Sequence, residues 1–522
     1  MRLIMTHGYM LSGTGSNIYV QNLCRALVRE GHEVHLLCQE RGPLAYDFVN
    51  EFCTVDRGTI EQRGEQVTSF PGRCVIYNPE IGDLLPVYVY DDYPGWRVKT
   101  FLDLTDEELE NYLERNVEAV RAVLEATDAE AAVTNHSVPG PLISRRALGG
   151  VPYLSIVHGS CLQYVARKSE KYMRLAREGL EGARRILALS SHSAGTIVED
   201  FPDLAERTTA LPGGVDTQLF RPDALDLNVL EKLSGGPGRG LEQDAALREA
   251  LDRAGNIREL AGALREIAVS YDARSPDKDL GERAGTFLAA GVGSPLILYV
   301  GKLIHSKGVH SLLSAFARVR WQTGARLLVV GFGTFREGLQ ALTLALSKGD
   351  QKHVEGIAET GKLFEGGPAG PLEHFELSES LLRDAAGMDD GVEFVGPLGH
   401  EDLARLVAAA DVGVVPSIFP ETFGLVAAEL AASGVVPFVA DHSGLREAGE
   451  IIGRSLPFDL HVGMDGFEEN LARALTAYLE LPDDELRRCG ETVRRNCVEH
   501  LSWGTLAEKL VGLVVEKDQA WK

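Results

Sequence analysis

Two glutamates, Glu421 and Glu429, stand eight positions apart in the segment Pro416–Glu429, which reads PSIFPETFGLVAAE. From Leu425 onward the residues favour a helix, and the start of a helix offers unpaired N–H groups and a positive dipole end that attract phosphate. Gly424 lets a ligand approach the backbone closely. Glu429, near the end of the second helical turn, can accept hydrogen bonds from ribose hydroxyls, and Glu421 can reach the other end of the same ligand. The layout suits a nucleotide diphosphate joined to a sugar.

A second charged segment, Gly301–Gly308, follows an apolar strand at 296–300 and reads GKLIHSKG. It carries Lys302 and Lys307. Two fixed cations beside a leaving diphosphate stabilise the charge that develops as a glycosidic bond breaks. The alternative is a basic turn without a ligand.

The segment 416–429 resembles the E-x7-E signature of retaining glycosyltransferases of family 4, which have the GT-B fold. The resemblance includes Pro416 and Ser417 before the first glutamate and the Phe-Gly-Leu run after it. The segment 301–308 resembles the family's G-R-L-x-x-x-K-G, in which Arg and Lys hold the donor diphosphate. Lys302 takes the place of that arginine, and lysine keeps the charge but loses the bidentate fork.

The resemblance also implies roles for individual residues. Glu421 would hold hydroxyls of the sugar, Lys302 and Lys307 would neutralise the diphosphate, and Glu429 would bind the ribose. Backbone contacts to the base are expected in the run 394–398. The remaining donor-binding positions are expected at Gly301, Val395, Phe423, Gly424 and Leu425.

Two histidines follow predicted strands of the first half. His136 comes after the strand 131–134, and His158 comes after the strand 153–157. In an open α/β sheet ligands bind at this edge. The resemblance implies that His158 contacts the transferred sugar near its reacting carbon, with His136 as the second candidate. A structural histidine is the alternative for each.

The N-terminus predicts a strand, a glycine loop and a helix, the opening of a doubly wound sheet. Gly13 and Gly15 fall short of the dinucleotide-binding fingerprint because Ile18 stands where its third glycine belongs. The resemblance places this loop at an inter-domain cleft, near the donor phosphates and the acceptor. We expect close backbone approach at Gly15, and a tight turn without a ligand is the alternative.

Length and composition limit the class of protein. At 522 residues the chain is too long for one core, so two domains are expected. A net charge of −24 disfavours nucleic acid as a partner. Seven scattered cysteines without a C-x-x-C pair indicate reduced thiols. No signal peptide and no membrane-spanning apolar run is recognised, which predicts a cytoplasmic protein.

The expected fold is α/β of the GT-B type, two Rossmann-like doubly wound domains facing a cleft. The first domain is expected at 1–212, with a final helix at about 500–522 packing back on it, and the donor domain at 213–499. Two insertions, at about 223–290 and 343–390, depart from the family. Oligomer contact and active-site cover are equally compatible with them, so a homo-oligomer stays open.

The expected function is retaining transfer of a hexose from a nucleotide-diphosphate sugar, without a cofactor or a divalent metal. The only Asp-x-Asp considered, at 277–279, has no apolar strand before it. The acceptor is expected to be a small molecule, a saccharide or a phosphorylated compound. Basic residues in a helix predicted at 163–185 would attract a phosphorylated acceptor, or they form an ordinary solvated face.

Three alternatives remain open from the sequence. Two are other GT-B enzymes, a sugar phosphorylase and a nucleotide-sugar epimerase, and the third is a non-catalytic module that binds nucleotide sugars. The sequence identifies neither the donor sugar, nor the base, nor the acceptor.

Overall fold

The computed structural model describes residues 1–90, 93, 95–224, 238–268 and 277–516. The chain forms two compact units, Met1–Gly214 with Leu501–Lys522, and Val215–His500. The first boundary between the two units thus falls between residues 214 and 215, and the sequence placed it between residues 212 and 213. Residues 225–237 and 269–276 of the first expected insertion, and residues 517–522 of the final helix, lie outside the described residues.

The first unit is built on a nine-stranded sheet in the order β11-β10-β9-β8-β1-β2-β5-β3-β4. Its pairs are parallel except β3 with β4, and β6 pairs with β7 apart from it. The strands are β1 Arg2–Thr6, β2 Glu33–Leu37, β3 Glu51–Asp56, β4 Thr59–Glu65, β5 Arg73–Pro79, β6 Leu84–Val87, β7 Arg97–Thr100, β8 Ala131–Asn135, β9 Tyr153–Val157, β10 Arg185–Ala188 and β11 Thr208–Ala210.

Helices follow the strands of this sheet. Strands β8 and β9 are buried along their whole length, as expected for strands covered on both faces. The helices of this unit are α1 Gly15–Arg29, α2 Asp106–Thr127, α3 Gly140–Ala147, α4 Ser160–Tyr164, α5 Glu170–Glu181, α6 Ser191–Asp200 and, at the end of the chain, α19 Trp503–Val515.

The single helix predicted at 163–185 is wrong. The chain breaks at Val165, which has φ −125° and ψ −64°, and α5 ends at Glu181. Three of the basic side chains are paired with acids from neighbouring elements. Salt bridges join Arg167 to Asp200, Lys171 to Asp106, and Arg177 to Asp203, each at 2.8 Å. These contacts favour the solvated, ion-paired interpretation.

The second unit contains a six-stranded parallel sheet in the order β14-β13-β12-β15-β16-β17. Its strands are β12 Leu296–Val300, β13 Arg326–Val330, β14 Val392–Val395, β15 Val412–Val415, β16 Val436–Ala440 and β17 His461–Val462. Its helices are α7 Leu241–Arg253, α8 Ile257–Ile267, α9 Leu280–Ala290, α10 Val309–Thr323, α11 Arg336–Lys348, α12 Gln351–Thr360, α13 Glu379–Asp384, α14 His400–Val407, α15 Leu425–Ala432, α16 Ser443–Ile452, α17 Phe467–Leu479 and α18 Asp483–Leu501.

Two sequence expectations concern the chain as a whole. All seven cysteines are buried and none forms a disulfide. Within the described ranges, no helix combines the length and the apolar character that crossing a membrane requires. Helices make up most of the described parts of both insertions, with α7, α8 and α9 in the first, and the end of α11 followed by α12 and α13 in the second. Residues 366–378 of the second insertion are not helical.

Candidate functional site

The sheet of the second unit reverses its direction of growth between β12 and β15. From β12 the chain adds β13 and β14 on one side, and it then returns to add β15, β16 and β17 on the other. Ligands of open α/β sheets bind outside the carboxyl ends of the strands at such a switch point. The loops after β12 and β15 begin at Gly301 and Pro416. Topology therefore selects the same two segments as the residue types.

Lys307 and Glu421 meet at this switch point. The Lys307 ammonium donates to Glu421 Oε1, and the hydroxyl of Ser417 donates to the same oxygen at 2.6 Å. The backbone N–H of Glu421 donates to Ser443 Oγ at 2.9 Å. The two charged side chains are 29% and 21% exposed, so both are accessible to a ligand while their positions are fixed.

The two loops also contact each other through their backbones. Gly308 has φ 68°, and a Cβ at this position would lie 2.0 Å from the carbonyl oxygen of Pro416. Ile418 N–H donates to Ser306 O at 3.0 Å. The glycine that follows Lys307 is therefore required by close packing, and the two charged loops form one connected edge.

Helix α15 begins directly after this edge. Gly424 has φ 125°, and a Cβ there would lie 2.8 Å from Leu445 Cδ2, so the position requires glycine. The side chain of Phe423 is in the core at 1% exposure, so only its backbone can face a ligand. Leu425 is the first residue of α15, where N–H groups lack partners within the helix.

Glu429 lies in the second turn of α15, and its side chain is 13% exposed. His400 Nε2 lies 3.6 Å from its Oε1. Burial raises the pKa of Glu429, and His400 opposes part of that rise. A carboxylate that is costly to bury and has few partners is typical of a functional position.

The remaining predicted donor positions lie along the same edge. Lys302 is exposed, and its backbone carbonyl accepts from Tyr299 Oη at 2.8 Å. Gly301 N–H donates to Val330 O at 3.0 Å. Val395 is buried at the end of β14, and its carbonyl accepts from Gly331 N–H at 3.2 Å.

The first unit has its own switch point, between β1 and β8. From β1 the chain adds β2 on one side, and β8, β9, β10 and β11 follow one another on the other. Asn135 is the last residue of β8, and the residues just past these strand ends are His7, His136 and His158. Both histidines predicted from the sequence therefore lie at the edge where a ligand is expected.

His158 is held by an amide. Asn135 Nδ2 donates to Thr6 O at 3.1 Å, so Asn135 Oδ1 is free to accept from His158 Nε2 at 2.9 Å. His7 is held in the same way by Asn17, at 2.9 Å. This network places the proton of each imidazole on Nε2. Burial lowers the pKa of His158 to about 3 and that of His7 to about 4.

His136 lies deeper than His158, with an exposure of 2% and φ 72°. Its ring stacks on His7 at 5.6 Å and packs against His158 at 4.9 Å. Neither ring nitrogen has a hydrogen-bond partner among the described residues, and burial lowers the pKa of His136 well below the usual value. It lines a cavity of about 30 Å³ with Tyr9 and Tyr88, so only a group that enters this cavity reaches it.

Gly15 is the first residue of α1, and a Cβ there would meet no atom within 4 Å. The positive φ that requires glycine belongs to Gly13, at 95°. Open space at Gly15 is compatible with the predicted close approach of a ligand, but the backbone conformation does not demand glycine.

Several residues that hold the site were missed by the sequence analysis. Asn135 precedes the predicted His136 and positions His158 instead. Tyr19 packs edge-on against both His158 and Trp503, at 5.2 and 5.0 Å between ring centroids. Ser443 follows the end of β16, and that position was the available signal for it.

Three protein-family models match the chain. The model described as Glycosyltransferase Family 4 matches residues 13–219, and two models described as Glycosyl transferases group 1 match residues 287–363 and 366–480. A D-inositol 3-phosphate glycosyltransferase of Corynebacterium kroppenstedtii is 35% identical over 33% of this chain and 36% of its own length. An MMP alpha-(1->4)-mannosyltransferase of Mycolicibacterium hassiacum is 28% identical over 66% of this chain and 56% of its own length. The chain thus matches between about a third and just over half of these relatives.

Two solved structures share the fold. HepE of Anabaena, in complex with UDP and glucose, aligns with 98% of both chains at a TM-score of 0.54 and 14% identity. The catalytic domain of starch synthase IV from Arabidopsis thaliana, bound to ADP and acarbose, aligns with 98% of both chains at 0.54 and 15% identity. The chain belongs to glycosyltransferase family 4 and has the GT-B fold, with two Rossmann-like domains.

Proposed function

We propose that the protein is a retaining glycosyltransferase that moves a hexose from a nucleotide-diphosphate sugar to an acceptor hydroxyl. The observation that carries the proposal is the contact of Lys307, Ser417 and Glu421 at the switch point of the second sheet. Glu429 follows on the adjoining helix, at the spacing that the family signature has. The names of the relatives, which include a mannosyltransferase, support the same class of reaction.

In the proposed reaction the bond between the anomeric carbon and the diphosphate oxygen breaks. A bond from the acceptor oxygen to that carbon forms on the same face of the sugar. The proton of the acceptor hydroxyl passes to the departing diphosphate oxygen. Lys302, Lys307 and the first N–H groups of α15 stabilise the negative charge that develops on the diphosphate.

Glu421 has two tasks in this proposal. It holds Lys307 in place, so the ammonium is oriented before the donor arrives, and its carboxylate accepts hydrogen bonds from sugar hydroxyls. Because Glu421 neutralises part of the Lys307 charge, the exposed Lys302 supplies a second cation for a diphosphate. Glu429 accepts hydrogen bonds from the ribose.

His158 acts as a neutral hydrogen-bonding group toward the transferred sugar. With its pKa lowered to about 3, the imidazole is uncharged at neutral pH and is a weak base. A weak base is poorly suited to remove the proton of an acceptor hydroxyl. This supports proton transfer to the diphosphate, and no cofactor or divalent metal is assigned a role.

The test begins with binding and ends with the product. UDP, ADP and GDP are screened by thermal shift, and the sugar nucleotides of the stabilising base are then incubated with a panel of small-molecule, saccharide and phosphorylated acceptors. Proton NMR of the new linkage, in the presence of EDTA, is expected to show retained anomeric configuration. An inverted product would contradict the proposal, and loss of activity with EDTA would contradict the lysine-based account of the leaving group.

Two further results would support the alternatives. Cleavage of a glycoside by inorganic phosphate without a nucleotide identifies a phosphorylase. Tight binding of a donor that is neither transferred, hydrolysed nor epimerised identifies a binding module.

A further inference from the structure

A buried ion pair connects the first insertion to the core of the second unit. Asp277, which precedes α9, is 1% exposed. Its two carboxylate oxygens accept from Arg336 Nη1 at 2.8 Å and from Arg336 Nη2 at 2.5 Å. Arg336 is the first residue of α11 and is itself 6% exposed. A bidentate pair buried on both sides fixes the relative position of the two segments that carry it.

The same pair contacts the end of β14 and the loop that follows it. Arg336 Nη2 also donates to Phe394 O at 3.2 Å, and Arg283 of α9 donates to that oxygen at 3.3 Å. A Cβ at Gly396 would lie 2.6 Å from Asp277 Oδ1 and 3.0 Å from its backbone nitrogen. The carboxylate of Asp277 therefore packs directly on the loop backbone, and no larger residue fits at 396 without movement.

This loop lies beside Glu429. Residues 396–399 connect β14 to His400, the first residue of α14, and His400 Nε2 lies 3.6 Å from Glu429 Oε1. In the proposed function Glu429 binds the ribose. A base attached to that ribose is then within reach of the loop 396–399, at the carboxyl ends of the strands.

We infer that the first insertion positions the loop 396–399 for the base of the donor, and that Asp277 and Arg336 are the positioning residues. The inference rests on the proposed function, because it needs a nucleoside diphosphate at Glu429. Neither residue is assigned a contact with the ligand. They act by holding the loop in one conformation, in the way that supporting side chains orient a binding site.

The experiment separates the base from the diphosphate. Calorimetry measures the affinity of the full-length protein for UDP, ADP and GDP, and for inorganic pyrophosphate, which has no base. In Asp277→Asn we expect the affinity for the preferred nucleoside diphosphate to fall by about tenfold or more and the preference among the three bases to narrow. The affinity for pyrophosphate is expected to stay unchanged.

Two further variants keep the test decisive. Arg336→Lys retains the charge and its pairing with Asp277 but loses the fork that also reaches Phe394, so we expect a smaller loss of the same kind. Asp252→Asn is the matched control on α7, because Asp252 forms an exposed pair with Lys348. It is expected to bind all ligands as the wild type does. Melting curves establish that each variant is folded.

Three results would overturn the inference. One is wild-type affinity and base preference in both folded variants at 277 and 336. Another is an equal loss of affinity for nucleoside diphosphates and for pyrophosphate, which would indicate a general disturbance of the second unit. If the wild-type protein binds no nucleoside diphosphate, the proposed function fails and the inference fails with it.

Discussion

The two switch points of this molecule use opposite electrostatics. At the edge of the second sheet, Lys307 and Glu421 are charged, partly exposed and paired. At the edge of the first sheet, His7, His136 and His158 are buried and their pKa values are lowered, so they are neutral at pH 7. The same topology therefore carries a charged, partly exposed edge in one unit and an edge of buried, neutral imidazoles in the other. The chemistry comes from the residues at the strand ends, while the fold supplies only their position.

Removing the lysine is expected to have the largest effect on the charged edge. In Lys307→Ala, we expect kcat/KM to fall by about 100-fold or more, because one cation that stabilises the departing diphosphate is lost. Steady-state kinetics beside a melting curve measure this. Lys348→Ala, which removes an exposed lysine paired with Asp252 at 2.6 Å, is the control. An unchanged kcat/KM in Lys307→Ala would remove this residue from the site.

Glu429→Gln tests whether the charge of Glu429 strengthens nucleotide binding and at the same time lowers the stability of the fold. We expect affinity for the nucleoside diphosphate to fall by about 1–3 kcal/mol, measured by calorimetry. Burial raises the pKa of Glu429, so between its usual pKa and the raised value the folded protein binds more protons than the unfolded chain. This contribution therefore lowers the unfolding free energy as pH rises.

Glutamine has no charge, so Glu429→Gln avoids the free-energy cost of burying an ionised carboxylate. The melting temperature of the variant at pH 7 is therefore expected to exceed that of the wild type, and the difference is expected to shrink near pH 4.5. Glu401→Gln, at an exposed position of α14, should change neither property. Equal nucleotide affinity in Glu429→Gln and the wild type would exclude the ribose role.

The neutral edge predicts sensitivity to acid. A histidine with a lowered pKa binds fewer protons in the folded protein than in the unfolded chain, so the unfolding free energy falls as pH drops below 6.5. His136, whose two ring nitrogens have no hydrogen-bond partner among the described residues, is expected to contribute to this loss as the pH falls from 6.5 to 5. His136→Asn removes the titrating ring and tolerates the φ of 72°.

We expect this variant to lose less stability than the wild type between pH 7 and pH 5, in melting curves recorded at both values. His192→Asn, at an exposed position of α6, serves as the control. An identical acid loss in His136→Asn and the wild type would show that His136 is not buried in its neutral form.

The smallest expected effect concerns the amide that holds His158. Asn135→Leu removes the acceptor of the His158 Nε2 proton, and we expect kcat/KM to fall by about tenfold, the value of one hydrogen bond. Asn17→Leu breaks the equivalent bond to His7. It should lower the melting temperature without that loss of activity. If the two variants lose activity equally, the special role of His158 is contradicted.

The edge of the second sheet was accessible to sequence reasoning because its signals are local. Lys307 and Gly308 are adjacent, and Glu421 and Glu429 share one strand-turn-helix unit. Their types and spacing indicated both the ligand and the helix start. What spacing did not show is that Lys307 and Glu421 bind each other across 114 positions of the chain. Such a pairing depends on which strands become neighbours.

The first unit was harder for the same reason. The bond between His158 and Asn135 spans 23 positions, and the bond between Asn135 and Thr6 spans 129. Only the order of the strands brings these residues together. The helix predicted at 163–185 failed because Val165 leaves the helical conformation, although the pattern of basic and apolar residues continues through it. In the first insertion, the polar sequence at 277–279 gave no sign that Asp277 is buried.

The first unit is assembled from both ends of the described chain. Tyr19 near its beginning packs against Trp503 of α19, and a Cβ at Gly214 would lie 2.5 Å from the same indole. During synthesis, residues 215–500 must therefore leave the ribosome before the first unit can close. At translation rates of about 5–20 residues per second, this delay is roughly 15 to 60 s. For that time Tyr19 lacks the indole that covers it in the folded unit, so we expect the yield of folded protein to depend on the speed of translation.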